Sequence, residues 1–180
     1  MIFSNSKLTG HGGNRFGWAI VKDEGLYKKM EEYIQINTMG VSREAQLRAL
    51  KLLNVVLEGN AKPFFQSGYA TMRNRWTRLK QVLSKSNRFT VQKLSRKYCS
   101  FYKTFKYPTP AYAWMKCKRE EDKNCYETLK AAGISCHPGN YFSADDRFAR
   151  VSISRSQDDF EILLNKLIYL LARDGINHSI

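Results

Sequence analysis

Apolar residues recur at helical spacing in four segments of this chain, and each set lies on one face of a predicted helix. The sets are Leu26, Met30, Tyr33 and Ile34; Leu47, Leu50, Leu53 and Leu57; Met72, Trp76, Leu79 and Leu83; and Phe160, Leu163, Leu164, Leu167 and Leu171. Asp23 and Ser42 are suitable N-caps for the first two helices, and Gly59 ends the second. The third helix is predicted over 63–84. Ser156 opens the fourth through a capping box with Asp159.

Short apolar runs bounded by Gly, Pro or charged residues predict strands between these helices. The predicted strands cover residues 16–21, 89–92, 111–117, 134–137 and 150–154. A short helix is predicted over 124–132, closed by Gly133, and residues 95–110 are predicted to be irregular. Strands alternating with helices favour an α/β fold.

The composition is that of a folded chain, with 43% hydrophobic residues among 180, enough to bury a core. No apolar run approaches the length of a membrane span. Polar residues follow Met1-Ile2-Phe3 at once, so no signal peptide is predicted in this chain. We expect a cytoplasmic location by default, or a secretory or vacuolar one if a preceding segment carries a signal.

The net charge of +14 is concentrated in one stretch. Residues 59–119 contain 15 Lys and Arg and no Asp or Glu, with aromatic residues interspersed. Such a stretch is compatible with a nucleic-acid-binding module. The alternative, which we favour, is a solvated basic face whose aromatic residues belong to the core, because no nucleic-acid-binding motif accompanies the charge.

The cysteines stand at 99, 117, 125 and 136, without a CxxC pair. No zinc or other metal site is therefore expected. Cys117 and Cys125 flank a charged turn and could form a disulfide, whereas free thiols in a reducing compartment are the alternative. The sequence leaves both open.

The first seventeen residues contain the most specific chemical pattern. Lys7 stands in Ser-Asn-Ser-Lys-Leu-Thr-Gly-His-Gly-Gly-Asn-Arg-Phe-Gly, with Ser4 and Ser6 before it and Arg15 after the glycines. A lysine near a cation has a lowered pKa and can attack a carbonyl. An arginine and hydroxyls can hold phosphate. The pattern suits a lysine that forms a Schiff base beside a bound phosphate, although an isolated lysine in such a loop is usually a solvated surface residue.

Arg150 is the second candidate, because it begins a predicted apolar strand. A partly buried arginine needs an anion or strong acceptors, and a substrate carboxylate suits its planar fork. The alternative is an edge arginine paired with Asp145 or Asp146. Tyr141, just upstream, is a weaker candidate for contact with the same site.

The string from Ser4 to Trp18 resembles the pyridoxal-phosphate lysine segment of fold-type-I aminotransferases, most closely the plant tryptophan aminotransferase-related and alliinase family. The resemblance is strongest over residues 4–57 and then 112–172. It implies pyridoxal 5'-phosphate as cofactor, Lys7 as its catalytic lysine, Ser4, Ser6 and Arg15 as its phosphate ligands, and Arg150 as the clamp on the substrate α-carboxylate. A pair similar to Cys117 and Cys125 is also present in the alliinase-like branch.

The resemblance further implies a fold-type-I α/β architecture that is truncated. Residues 1–60 correspond to the end of the large cofactor domain, 61–86 to a connecting helix and 87–180 to the small C-terminal domain. In the family, the carboxylate that binds the pyridine nitrogen comes from segments before the lysine. This chain has six residues there, so we expect a fragment with impaired activity.

The function implied is transamination of an L-amino acid to a 2-oxo acid, of the L-tryptophan–pyruvate type, by an enzyme that is a homodimer in full-length members. An alliinase-type carbon–sulfur lyase is the alternative, because it uses the same early steps. A non-catalytic remnant or a basic nucleic-acid-binding module are alternatives of another class.

Overall fold

The computed structural model describes residues 1–8, 12–84, 86–99 and 103–176, except for the side chains of residues 7, 8, 60–62, 64, 99 and 174–176. The described chain forms two compact units, residues 1–65 and 66–180. Residues 9–11, in the predicted cofactor loop, and residues 100–102, in the predicted irregular segment, lie outside the described part.

The first unit begins with a short antiparallel hairpin and continues with two helices. Its elements are β1 (Ile2–Ser4), α1 (Asn5–Leu8), β2 (Gly17–Ala19), α2 (Glu24–Thr38) and α3 (Arg43–Val55). Both predicted N-caps are confirmed, because the carboxylate of Asp23 accepts from the Leu26 N–H and the hydroxyl of Ser42 from the Ala45 N–H. After α3 the chain winds through a π-helical turn, Val56–Asn60, in which Gly59 has a φ of 85°.

The second unit is a sheet with helices, and α4 (Ala61–Ser84) leads into it. Its further elements are β3 (Phe89–Val91), β4 (Lys97–Cys99), β5 (Thr104–Lys106), β6 (Tyr112–Cys117), α5 (Cys125–Ala131), β7 (Cys136–Pro138), β8 (Phe148–Ser152) and α6 (Gln157–Ile176). The strands β3, β6, β8 and β7 form, in that order, a four-stranded antiparallel sheet.

One face of this sheet carries the core. Alternate residues of a strand point to opposite faces, so Ala113, Met115 and Cys117 of β6 and Ala149 and Val151 of β8 are buried together. They pack in one apolar cluster with residues of α4, α5 and α6. The helix residues of the cluster are Trp76, Leu79, Leu83, Leu129, Phe160, Leu163, Leu164 and Leu167. The apolar faces predicted for the third and fourth long helices therefore face the core.

Buried polar contacts fasten the helices to the sheet. Arg75 of α4, only 6% exposed, donates to the backbone oxygens of Ile153 at 2.9 Å and Arg155 at 2.7 Å. It thereby ties α4 to the chain between β8 and α6. Arg88 forms a two-pronged ion pair with the buried carboxylate of Asp122 at 2.6 and 2.7 Å, and its guanidinium holds the pKa of Asp122 below its usual range.

The prediction for residues 95–110 is wrong in part. β4 and β5 form a two-stranded hairpin there, with Tyr98 and Phe105 opposite each other at 5.3 Å between ring centroids. None of the described side chains of these strands is buried, so the alternation that identifies a strand in a sequence is absent. The strand expected at 150–154 begins earlier, at Phe148. In the part of the chain that the structure describes, no helix has the length and apolarity to cross a membrane.

Candidate functional site

The candidate cofactor lysine lies at the end of the first hairpin. β1 and β2 pair antiparallel, with Ser4 opposite Gly17, and the single turn of α1 carries the backbone of Lys7 directly after β1. The Asn5 N–H donates to the Phe16 carbonyl at 3.2 Å, which holds the start of this turn against β2. A Cβ on Gly17 would lie 2.7 Å from the Phe3 carbonyl oxygen, so the hairpin requires glycine there. The side chain of Lys7 lies outside the described part.

Arg15 is placed by an unusual backbone conformation. Its φ is 49°, in the left-handed region that few non-glycine residues adopt. Its exposed guanidinium donates to the Gly12 carbonyl at 3.1 Å, and no carboxylate of the described residues forms an ion pair with it. The conformation therefore leaves most of the guanidinium free to bind an anion from solution.

The polar groups of this connection fit a phosphate. Ser4 Oγ accepts from the Ser6 N–H at 3.1 Å, which leaves the hydroxyl hydrogen of Ser4 free to donate. The buried Nδ2 of Asn14 has no hydrogen-bond partner among the described residues. Hydroxyl, amide and guanidinium groups are donors that suit a phosphate, and an arginine can bind it with two parallel bonds. The donor set present agrees with the phosphate role predicted for Ser4, Ser6 and Arg15, which stays a prediction.

Arg150 lies in the second unit, on the sheet face opposite the core. It is a central residue of β8, opposite Trp114 of β6 on one side and His137 of β7 on the other. Tyr112, Trp114 and Phe148 share this face and are half-buried, unlike their strand neighbours that point to the core. The face therefore presents Arg150 among aromatic rings, together with Lys116, whose Nζ lies 5.4 Å from the ring centroid of Phe148.

The guanidinium of Arg150 lies between two rings, that of Tyr112 and that of Phe142, which belongs to the turn after β7. Its central carbon is 4.4 Å from the ring centroid of Tyr112 and 4.2 Å from that of Phe142. Both distances are typical of cation–π contacts. Its Nε is buried without a hydrogen-bond partner among the described residues. The rings hold the guanidinium but cannot accept its hydrogen bonds as an oxygen would.

The acids near Arg150 in sequence do not pair with it in the described structure. Asp145 instead accepts from the Arg147 N–H at 2.7 Å, and the guanidinium of Arg147 binds Glu120 at 2.8 Å. Tyr141 is 74% exposed and lies near His137, with 6.4 Å between ring centroids. Its neighbour Phe142 contacts the guanidinium of Arg150, and contact of Tyr141 with the site stays a prediction.

The described aromatic residues of the basic stretch have different surroundings. Trp76 and Phe89 are core residues, 4% and 1% exposed. Tyr107 is 45% exposed and is contacted by Arg73 at 4.3 Å from its ring centroid. Tyr98 and Phe105 are also exposed and contact each other, so the described aromatic residues only partly belong to the core.

The thiols of Cys117 and Cys125 are both free and buried. They hydrogen-bond to each other, and this bond together with burial raises the pKa of Cys117. Of the two states that the sequence leaves open, the structure contains the dithiol. Among the described residues, no group of three or more His, Cys, Asp or Glu side chains could hold a metal ion.

Comparison with known proteins identifies the family. The family model Alliinase_C, described as allinase, matches residues 1–171. The chain belongs to this family. It is 47% identical over 171 residues to tryptophan aminotransferase-related protein 4 of Arabidopsis thaliana, covering 93% of this chain and 37% of that protein. It is 42% identical over 171 residues to alliin lyase of Allium cepa, covering 91% of this chain and 36% of that protein.

The chain thus spans little more than a third of the length of these relatives of the Alliinase_C family, and the resemblance found in its sequence is confirmed. Solved structures agree on the fold. A PLP-dependent aminotransferase from Streptococcus suis superimposes with a TM-score of 0.68 at 19% identity, covering 96% of this chain and 41% of that one. An aspartate aminotransferase from Thermotoga maritima superimposes with a TM-score of 0.67 at 20% identity, covering 95% of this chain and 39% of that one. The predicted α/β, aminotransferase-like fold class is confirmed.

Sequence reasoning missed the residues that surround Arg150. Tyr112 and Trp114 occupy alternate positions of a predicted strand, and this alternation indicates that they share a face. It does not indicate which strand is their neighbour. The pairing of β6 with β8, and the turn that carries Phe142, bring the rings to Arg150.

Proposed function

We propose that this chain contributes the cofactor-binding lysine and the carboxylate-binding arginine of a pyridoxal-phosphate-dependent enzyme that acts on L-amino acids. The observation that carries the proposal is Arg150, held between two rings with its Nε unpaired, in a chain of the Alliinase_C family. A guanidinium without a carboxylate partner among the described residues is suited to bind the carboxylate of a ligand.

The residues near Lys7 complete the proposal. Pyridoxal phosphate, when bound, supplies an aldehyde and a ring that withdraws electrons from the substrate Cα. Ser4, Ser6 and Arg15 would hold its phosphate. The Lys7 amine would hold the cofactor by its aldehyde and, when released from it, would accept the proton from the substrate Cα. In general, a neighbouring positive charge lowers the pKa of a lysine amine and favours its neutral, reactive form.

We propose transamination as the reaction, with an L-amino acid such as L-tryptophan as donor and a 2-oxo acid such as pyruvate as acceptor, in an enzyme that is a homodimer. The names of relatives at 47% and 46% identity, both tryptophan aminotransferase-related proteins of Arabidopsis thaliana, support this choice. Arg150 binds the carboxylate that donor and acceptor share.

Carbon–sulfur lysis is the second candidate. Alliin lyases of Allium species are 39–42% identical to this chain, and both reactions require the same carboxylate clamp and the same proton removal from Cα. Pyruvate formation from a cysteine sulfoxide without an added 2-oxo acid would identify the lyase. Amino-group transfer to added pyruvate would identify the transaminase.

The test is a covalent map of the cofactor site. The 180-residue chain is incubated with pyridoxal phosphate, reduced with borohydride and digested, and the modified peptides are identified by mass spectrometry. We expect modification concentrated on Lys7 and abolished in Lys7→Arg. Lys22, Lys28 and Lys29 of the same unit are internal controls. Labelling spread evenly over all lysines would contradict the proposal.

Arg15 provides a second measurement on the same site. Arg15→Ala should weaken cofactor binding by about 1.5–3 kcal/mol, the range for a lost hydrogen bond to a charged group, and Arg15→Lys should weaken it less. Fluorescence titration with pyridoxal phosphate measures both. We expect turnover of L-tryptophan and pyruvate by this chain to stay below about one per second, an ordinary enzymatic rate.

A further inference from the structure

We propose that Tyr112 and Phe142 form an aromatic clamp that positions the guanidinium of Arg150 to receive a carboxylate. The inference rests on the proposed function, which assigns Arg150 to the substrate carboxylate. It adds two positioning residues, neither of which touches the substrate in this proposal.

The two halves of the clamp come from different parts of the second unit. Tyr112 is the first residue of β6, and β6 is the strand paired with β8, which carries Arg150. Phe142 is the last residue of a 3-10 turn, Gly139–Phe142, that follows β7. The two rings lie at nearly equal distances from the guanidinium carbon, 4.4 and 4.2 Å.

The turn that carries Phe142 is held in place by close packing. A Cβ on Gly139 would lie 2.5 Å from the Asp145 carbonyl oxygen and 2.8 Å from that of Phe148, so the turn lies directly against the start of β8. The Ser143 N–H closes the turn through a hydrogen bond to the Asn140 carbonyl at 3.1 Å. Trp114 supports Phe142 from the sheet, edge to face at 5.7 Å. The ring is therefore fixed although it is 40% exposed.

The rings of Tyr112 and Phe142 are placed against a cation and are not part of the buried core. Phe142 and Tyr112 both lie outside the buried cluster of the second unit, and each contributes a ring face to a cation. A free arginine has several rotatable bonds, and ordering such a side chain costs part of the binding free energy. Two rings that hold the guanidinium before the ligand arrives remove much of that cost, and neither carries an ionised oxygen that would pair with the guanidinium in place of the carboxylate.

The experiment uses the complete chain with ¹⁵N-labelled arginine, and the Nε–Hε resonance of Arg150 is assigned by its loss in Arg150→Lys. The probe is pyruvate, titrated without cofactor. The variants are Tyr112→Leu and Phe142→Leu, with Tyr112→Phe and Phe142→Tyr as conservative replacements that keep a ring. Tyr169→Leu is the matched control, because it replaces an exposed tyrosine whose ring is contacted by a different arginine, Arg173, at 5.8 Å from the ring centroid.

In the wild type we expect the Arg150 resonance to lie upfield, as ring currents on both faces require, and to move on addition of pyruvate. Each leucine variant should bring the resonance toward its ordinary position and weaken pyruvate binding about two- to tenfold, the cost of ordering one flexible side chain. The two conservative variants should restore both properties, and Tyr169→Leu should change neither.

The outcomes separate the two proposals. If pyruvate moves the resonance with equal affinity in the wild type and in folded leucine variants, the clamp is overturned and the carboxylate role of Arg150 stands. If the resonance is upfield but pyruvate does not move it, the carboxylate role of Arg150 is overturned. A leucine variant whose resonances lack dispersion is unfolded, and the conservative variant at the same position then takes its place in the comparison. The conservative variant keeps the ring. If it nevertheless lost affinity for pyruvate, the ring would not be the cause and the clamp would also be overturned.

Discussion

The two units of this chain carry equally regular apolar patterns but bury them to different extents. In residues 66–180, Leu79, Phe160 and Leu167 are at most 1% exposed and belong to one continuous cluster. In the described part of residues 1–65, the buried apolar residues are Ala45 and Ala49, and α2 has no buried residue. Apolar residues at helical spacing therefore predict a helix, but they do not show that other residues of the same chain bury its apolar face.

The exposed apolar residues of the first unit emphasise this difference. Tyr33, Ile36 and Met39 are 66%, 74% and 94% exposed, and Leu47 and Leu50 are each 54% exposed. Burial of apolar surface is the main favourable term in folding. We therefore expect the second unit to supply almost all of the stability of the chain. Five predictions test this comparison, the first with the largest expected effect and the last with the smallest.

The largest effect is expected when the chain is divided before α4. Residues 61–180, which retain α4 and the whole core, should unfold cooperatively in urea. Residues 1–60 should show no cooperative transition, because they lack a core to lose. Circular dichroism and amide hydrogen exchange measure both polypeptides. A cooperative transition in residues 1–60 would refute the comparison.

Ion pairs provide the second test. Asp122→Asn breaks a pair whose carboxylate is 5% exposed, and breaking a pair of this kind costs about 3 kcal/mol. Glu44→Gln removes the pair of Glu44 with Arg48 on the surface of α3, and such i,i+4 pairs contribute about 0.5 kcal/mol or less. Urea unfolding of the complete chain measures both. Similar losses from the two changes would contradict the difference between the units.

The same pair predicts a pH dependence. Arg88 lowers the pKa of Asp122 in the folded state, below the value of about 3.9 of an unfolded aspartate. The pair therefore contributes its full stability above the unfolded pKa, and this contribution is lost as the pH falls through the folded pKa. The free energy of unfolding of Asp122→Asn should fall less steeply in this acidic range than that of the wild type.

Matched leucines provide the third test. Leu79→Ala in α4 removes a fully buried side chain and should cost about 2–5 kcal/mol. Leu50→Ala in α3, where the leucine is 54% exposed, should leave the urea transition within about 0.5 kcal/mol of the wild type. A large loss from Leu50→Ala would show that the first unit takes part in the same cooperative transition.

Helical glycines provide the smallest expected effect. A Cβ on Gly68, in the interior of α4, would meet nothing within 4 Å, so Gly68→Ala should stabilise the chain by about 0.5–1 kcal/mol. Gly25→Ala is the control, because it makes the same change in α2 of the first unit. A Cβ on Gly25 would make only an ordinary contact, at 3.4 Å with Asp23. Gly25→Ala should leave the main thermal transition unchanged. If Gly68→Ala and Gly25→Ala raised the melting temperature equally, the two units would not differ in their contribution to stability, and the comparison would be contradicted.

The elements that could be predicted from the sequence are those with local causes. The caps at Asp23, Ser42 and Ser156 are confirmed by side-chain oxygens that accept backbone N–H bonds three residues on. The strand β1 was not predicted, because it pairs with β2 across the loop and is exposed along its whole length. A strand without a buried face has little periodicity that a sequence can reveal.

The candidate site shows the same division. Residue type and spacing indicate the candidate residues, and their proposed roles stay predictions. These residues are Ser4, Ser6, Lys7, Arg15 and Arg150. The rings around Arg150 could not be chosen in this way. Tyr112 reaches Arg150 through the register of β6 with β8, and Phe142 through a turn packed on β8. Neither relation follows from the spacing of residues along the chain.

By itself, the sequence determined the five helices longer than one turn, most strands, the family and the residues capable of the chemistry. These follow from interactions between residues a few positions apart and from a contiguous motif. Only the tertiary structure decided which apolar faces are covered, that Cys117 and Cys125 meet as thiols, and that Arg150 lies between two rings. Each of these depends on strand register and helix packing, which bring distant segments together. Burial and partner choice are therefore properties of the assembled fold.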